Sequence, residues 1–146
     1  MSVTVQGYDQ VGNMALQGVF TDVANLKLML VQDMYSFDSA HSLVSDVNGD
    51  ELYASGGYAT GGKALDGASA MVSGRSFTSP SVNWTAFDTA FTGVIGHAIL
   101  YHDGSFGGVA SPVLSCWTFS PAIGVNNVPW AFSWLNSIVY KISEAV

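Results

Sequence analysis

The chain has 146 residues, of which 49% are hydrophobic and only 15 are charged, four of them basic, for a net charge of −7. An ordinary soluble domain spends roughly a quarter of its residues on charge, because a free surface needs it against self-association. So few scattered cations exclude a patch able to neutralise several phosphates, which argues against nucleic acid and against an anionic membrane surface.

A chain of this length holds one core and leaves about 30% of its extended-chain surface exposed. Much of that surface must be uncharged, and such a surface is stable in water if neighbours cover it. The first expectation is therefore a subunit of a permanent assembly. Met1-Ser2-Val3-Thr4-Val5-Gln6 lacks the basic and apolar regions of a secretory signal. The apolar stretch around Val94 to Tyr101 is broken by Gly96 and His97 and is far shorter than the ~20 residues of a membrane span. A single Cys116 allows no internal disulfide, which suits synthesis in a reducing cytoplasm.

Along the chain, residues 1–22 are fairly polar, carry Gly7, Gly12 and Gly18, and read as an arm reaching to a neighbouring subunit, with 23–146 as the folded domain. Deleting 1–20 is expected to leave that domain folded. Leu26, Leu28 and Leu30 alternate with period 2 against a mixed second face, the mark of a half-buried strand. Ser42 to Val47 predicts one or two helical turns with Ser42 as N-cap. Gly93 to His102 is apolar on both faces and predicts a central strand ending at Asp103-Gly104. Pro112 to Phe119, Trp130 to Trp134 and Ile138 to Ile142 complete the strands. The 16 glycines supply turns, and the strand spacing predicts an all-β fold, an antiparallel β-sandwich (jelly-roll-like) with at most one or two short helices.

Few residues point to chemistry. Asp46, Asn48 and Asp50 stand at positions 1, 3 and 5 of a calcium loop, but Glu51 replaces the glycine of position 6 and Gly57 the glutamate of position 12. A solvated turn is expected, with weak calcium binding as the alternative. His97, His102 and Asp103 suggest a metal or acid–base site, yet the two histidines, five apart on one strand, face opposite ways. Cys116 has no cation nearby in sequence and reads as a buried thiol. No catalytic residues, metal or cofactor are expected.

Gly57-Tyr58-Ala59-Thr60-Gly61-Gly62 is better explained by glycine conformation and tyrosine packing than by phosphate binding, since no helix signal follows Lys63. Together with the Leu-x-Leu-x-Leu strand at Leu26 to Leu30, the short helix at Ser42 to Val47, Val82-Asn83-Trp84 with Phe87, Ala98 to Asp103, Leu114 with Phe119, and Ala131-Phe132-Ser133-Trp134, this element resembles a family of small virion structural proteins of tailed bacteriophages. The resemblance covers about residues 24–143. It departs from the family in the N-terminal segment and in the loop from Gly104 to Pro112.

The resemblance implies a β-sandwich subunit of the virion, made in the host cytoplasm: a capsid decoration (cement) protein, head-fibre base or tail component. Its partners would be the major capsid protein or other virion subunits and further copies of itself, with a trimer implied by analogy. Gly57, Tyr58, Gly61 and Gly62 form the structural motif, and Trp117, Trp130, Phe132 and Trp134 are candidate interface aromatics. The alternative is a carbohydrate- or receptor-binding module that stacks sugar rings on its tryptophans.

Overall fold

The computed structural model describes residues 2–54, 57–65, 71–73, 76–78, 82–84, 94–124, 130–133 and 138–141. Twelve strands account for most of the regular structure among them: β1 (Ser2–Gly7), β2 (Leu26–Gln32), β3 (Lys63–Ala64), β4 (Met71–Ser73), β5 (Ser76–Thr78), β6 (Val82–Trp84), β7 (Val94–His102), β8 (Ser105–Phe106), β9 (Val109–Ala110), β10 (Val113–Gly124), β11 (Trp130–Phe132) and β12 (Ile138–Lys141). One short helix, α1 (Val11–Leu16), and four 3-10 turns accompany them. Every strand pair is antiparallel, so the fold is all-β, as the alternation and turn spacing predict.

The main sheet runs β1-β10-β7-β2-β3. Its central strand β7 is apolar on both faces because both faces are covered. On one face Leu26, Leu28 and Leu30 of β2, Ala98 and Leu100 of β7, and Leu114, Trp117 and Phe119 of β10 form a single cluster. Side chains of the two smaller sheets, β11-β6 and β12-β5-β4, join it through Phe77, Val82, Trp84 and Phe132. On the opposite face Met29, Val31, Ile99, Tyr101, Val113 and Cys116 pack beneath Tyr35 and Val47, with Phe37 and Val44 at the margin.

Gly96 marks where β2 and β7 slip register, between Val31↔His97 and Gln32↔Ile95. A Cβ there would overlap the Cα of Asp33 and stand 2.6 Å from its nitrogen. The glycine lets the chain leaving β2 fold closely over the sheet.

Two expectations are corrected. Residues 1–22 are built into the domain: β1 pairs with β10 from Ser2↔Ser120 to Gly7↔Ser115, and Tyr8, Met14, Val19 and Phe20 are buried. Removing 1–20 would strip these four side chains from the core. The segment looks polar because its apolar residues sit singly on a short helix and turns, where no periodicity can reveal them. The helical turn expected in Ser42 to Val47 forms as a 3-10 turn, Val44–Asp46, with Leu43 instead of Ser42 at its N-cap, and a second 3-10 turn, Asn48–Asp50, follows. The cap works from the far side: the Asp46 carboxylate accepts the backbone N–H of Ser42 and of Leu43, each at 3.0 Å, and these bonds hold its pKa below the ordinary aspartate value.

Candidate functional site

The glycine–tyrosine element closes one edge of the main sheet. Among the described residues only the two-residue β3 lies beyond β2, so most of the backbone groups along that edge of β2 need other partners. Leu30 N–H donates to the Tyr58 hydroxyl at 3.1 Å, and Leu52 N–H donates to the Leu30 carbonyl at 3.1 Å. Leu65 N–H reaches the Leu26 carbonyl at the same distance. The Tyr58 hydroxyl in turn donates to Glu51 Oε1 at 2.7 Å, and the same oxygen accepts Gly61 N–H at 2.6 Å. Tyr101 donates its hydroxyl to the Gly61 carbonyl at 2.6 Å.

Gly61 and Gly62 have φ of +90° and +76°, the left-handed region that favours glycine. Gly62 also lies directly against the backbone of β2. Burial keeps both Tyr58 and Tyr101 protonated, raising their pKa values above the ordinary phenol. Tyr58, Gly61 and Gly62 thus act as a structural clamp, and Gly57, with a φ of +98°, opens the element. Glu51 is the member that sequence reasoning missed: in sequence it stands out only as part of a calcium loop, whose Asp46 and Glu51 carboxylates turn to separate backbone and hydroxyl partners.

A second polar group lies under the opposite face. His97 is 6% exposed; its Nε2 lies 2.9 Å from the Tyr35 carbonyl and its Nδ1 2.9 Å from Thr118 Oγ1. A neutral ring with the proton on Nε2 satisfies both contacts, donating to the carbonyl and accepting from the hydroxyl. Cys116 Sγ stands 3.9 Å from His97 Nδ1. The Tyr8 and Tyr35 hydroxyls are 2.9 Å apart, and that of Tyr35 is 3.0 Å from His41 Nδ1. Burial pushes the Cys116 thiol up to about 11, so it stays a thiol at neutral pH, a poor nucleophile. The network ties the segment after β2 down onto the sheet.

Burial also holds His97 below the ordinary histidine pKa, against a weaker opposite pull from the Tyr35 carbonyl, Asp33 and Asp50. Below about pH 6.5 the unfolded chain binds a proton that the folded His97 refuses, so stability falls as pH falls through that region. The thermal midpoint is expected to drop between pH 7 and pH 5, and His97→Gln should flatten the drop. The carboxylates with lowered pKa, Asp22 and Asp46, act only nearer pH 4. An equal slope in wild type and variant would contradict the assignment.

The other residues weighed for chemistry are separated by the fold. His102 points to the opposite face from His97, with Nε2 2.7 Å from Asp22 Oδ2 and Nδ1 2.9 Å from the Gly104 carbonyl. Asp103 pairs instead with Lys27 at 2.9 Å. Among the described residues no group of three or more His, Cys, Asp or Glu is placed to hold a metal ion.

Trp117 and Phe132, expected at an interface, are 4% and 6% exposed and belong to the chain's own core. Their rings meet edge-on at 5.3 Å. Trp130 is half-buried over Trp84 and Phe119, at 5.6 and 6.0 Å. Trp134 lies outside the described residues.

No protein-family model, curated protein or solved structure matches this chain. Among the described residues no helix is long and apolar enough to cross a membrane.

Proposed function

We propose that this chain is a structural subunit of a bacteriophage particle, working by bridging neighbours rather than by catalysis, most simply as a capsid decoration protein. The observation that carries the reading is the charge-poor surface: 15 charged residues in 146 suit a surface covered by an assembly better than one facing water alone. Supporting it, the titratable clusters described above are spent on the fold's own hydrogen bonds. The proposal includes a sandwich architecture in which the sheets β11-β6 and β12-β5-β4 form the second layer, supported by the cluster they share with the main sheet. Sugar stacking on Trp84 or Trp117 would require opening the core that buries them.

A subunit that binds only the assembled lattice stabilises it by mass action. With few charges at the contact, that protection should depend little on salt. Particles assembled with and without the chain are to be heated or osmotically shocked at low and high salt. Greater survival with the chain at both salt concentrations is expected; equal survival would overturn the decoration role.

A further inference from the structure

The two edges of the main sheet are treated in opposite ways. The β2 side is sealed by Tyr58, Leu52, Leu65 and the two-residue β3, which carries Lys63. Short strands, charge and covering groups are the ordinary devices that keep an edge from pairing with another chain. Among the described residues the β1 side has none of them. β1 is six residues long, contains no charge and no proline, and is exposed throughout. Among the described strands none lies on its outer side.

Its backbone polarity can be read from the register. Tyr8 N–H donates to the Leu114 carbonyl of β10, continuing the ladder that pairs Gly7 with Ser115. Alternation along an antiparallel strand then turns the N–H and C=O of the even residues toward β10 and those of Val3, Val5 and Gly7 outward. The side chains of Val3 and Val5 stand beside those of Phe119 and Trp117, their partners across the ladder. They extend the apolar face of the sheet to its rim, where they are 47% and 61% exposed.

The geometry points to a second copy of this chain as the occupant of that edge: β1 pairs antiparallel with β1 of its partner about a two-fold axis at Thr4. In this register Val3 of each copy faces Val5 of the other. Both are residues whose backbone groups point outward, so they make the hydrogen-bonded pairs of the new ladder. The valines of both copies form one row on the same face, continuing the two apolar faces into each other. The strand carries no charge, so no like charges meet across the axis although each chain carries a net −7. Two five-stranded sheets become one of ten strands, about the practical limit for an open twisted sheet. Its outer ends are then both the sealed β3 side, so the assembly closes as a dimer and does not grow into a fibre.

This deepens the assembly reading and rests on it only for its biological setting. The test is sedimentation of the full chain at tens of micromolar together with hydrogen exchange of individual amides. Two variants serve. Val5→Pro removes an outward N–H while leaving the β10 side of the ladder intact, and Val5→Lys places a charge in the valine row. Expected are a wild-type dimer, Val3 and Val5 amides whose protection rises with concentration, and a dissociation constant about 10- to 30-fold higher in Val5→Pro, with an unchanged circular dichroism spectrum.

A wild-type monomer, or a dimer that neither variant weakens, would overturn the pairing. So would Val3 and Val5 amides protected only on particles, which would mean that the edge takes a foreign strand. A monomer that is nonetheless found in particles overturns the pairing and leaves the subunit reading standing; a β1-paired dimer absent from particles does the reverse.

Discussion

Gly62→Ala is expected to destabilise the fold by about 2–5 kcal/mol, summing a left-handed backbone cost of roughly 1–2 kcal/mol with an overpacking cost of roughly 1–3 kcal/mol. The φ of +76° supplies the first contribution. The second is steric: an added Cβ would overlap the Leu28 carbonyl oxygen and stand 2.8 Å from both the Leu28 carbonyl carbon and the Met29 Cα. These are backbone atoms of β2, and Leu28 is held from the other side by its pairing with Leu100 of β7. Relief must therefore come from lifting the glycine–tyrosine clamp off the edge, which would leave the Leu30 N–H without its Tyr58 partner.

Gly12→Ala is the control. It lies inside α1 with nothing within 4 Å of the new Cβ, and should stabilise by about 0.4–1 kcal/mol. Denaturant unfolding of the two variants measures both signs. A Gly62→Ala loss below 1 kcal/mol would contradict the close approach that defines the clamp.

Trp117→Ala is expected to cost about 3–5 kcal/mol, the range for truncating a large aromatic in a packed core. The ring sits on β10 between Val5 of β1 and Ala98 of β7 and meets Phe132 edge-on, so its removal opens a space bounded by sheet on one side and by β11 on the other. Tyr53→Ala, at a residue 77% exposed, should change stability by no more than about 0.5 kcal/mol. Equilibrium unfolding compares the two. If Trp117→Ala were as mild as Tyr53→Ala while weakening self-association, Trp117 would belong to an interface, the other placement its sequence context allows.

The strands legible in the sequence are those whose pattern is set by their own residues. The doubly apolar run from Val94 to His102 reads correctly because a strand between two covered faces must be apolar at nearly every position; Leu26, Leu28 and Leu30 mark β2 as a half-buried strand, but Met29 and Val31 on its other face are buried as well. β1 carries the same period-2 signal, Val3 and Val5 against Ser2, Thr4 and Gln6. It reads as part of an arm because an edge strand exposed along its length lacks the apolar weight of a central one.

Other features depend on residues far apart in sequence. The Tyr8–Tyr35 contact joins residues 27 apart, and the His97–Tyr35 bond joins residues 62 apart, so neither leaves a local trace. Gly96 reads in sequence as an interruption of an apolar run; its reason is Asp33, brought over it by the chain leaving β2. The Gly-Tyr-x-x-Gly-Gly element could be read as structural from its glycines, but its task of sealing a sheet edge could not, because Glu51 and the Leu30 N–H reach it only through the fold. The aromatics after Leu114 could be recognised as destined for burial. Whether a core or a neighbour would bury them is decided by β6 and β11, which bring Trp84 and Phe132 over β10.

A density map of intact particles tests most directly the claim that this chain is a structural subunit. Expected is the main sheet of this fold in many symmetry-related copies on the particle, with Trp117 inside each copy and β1 running beside a neighbouring β1 about a two-fold axis. Particles without this chain, or a chain that remains free and monomeric when particles are present, would contradict the account.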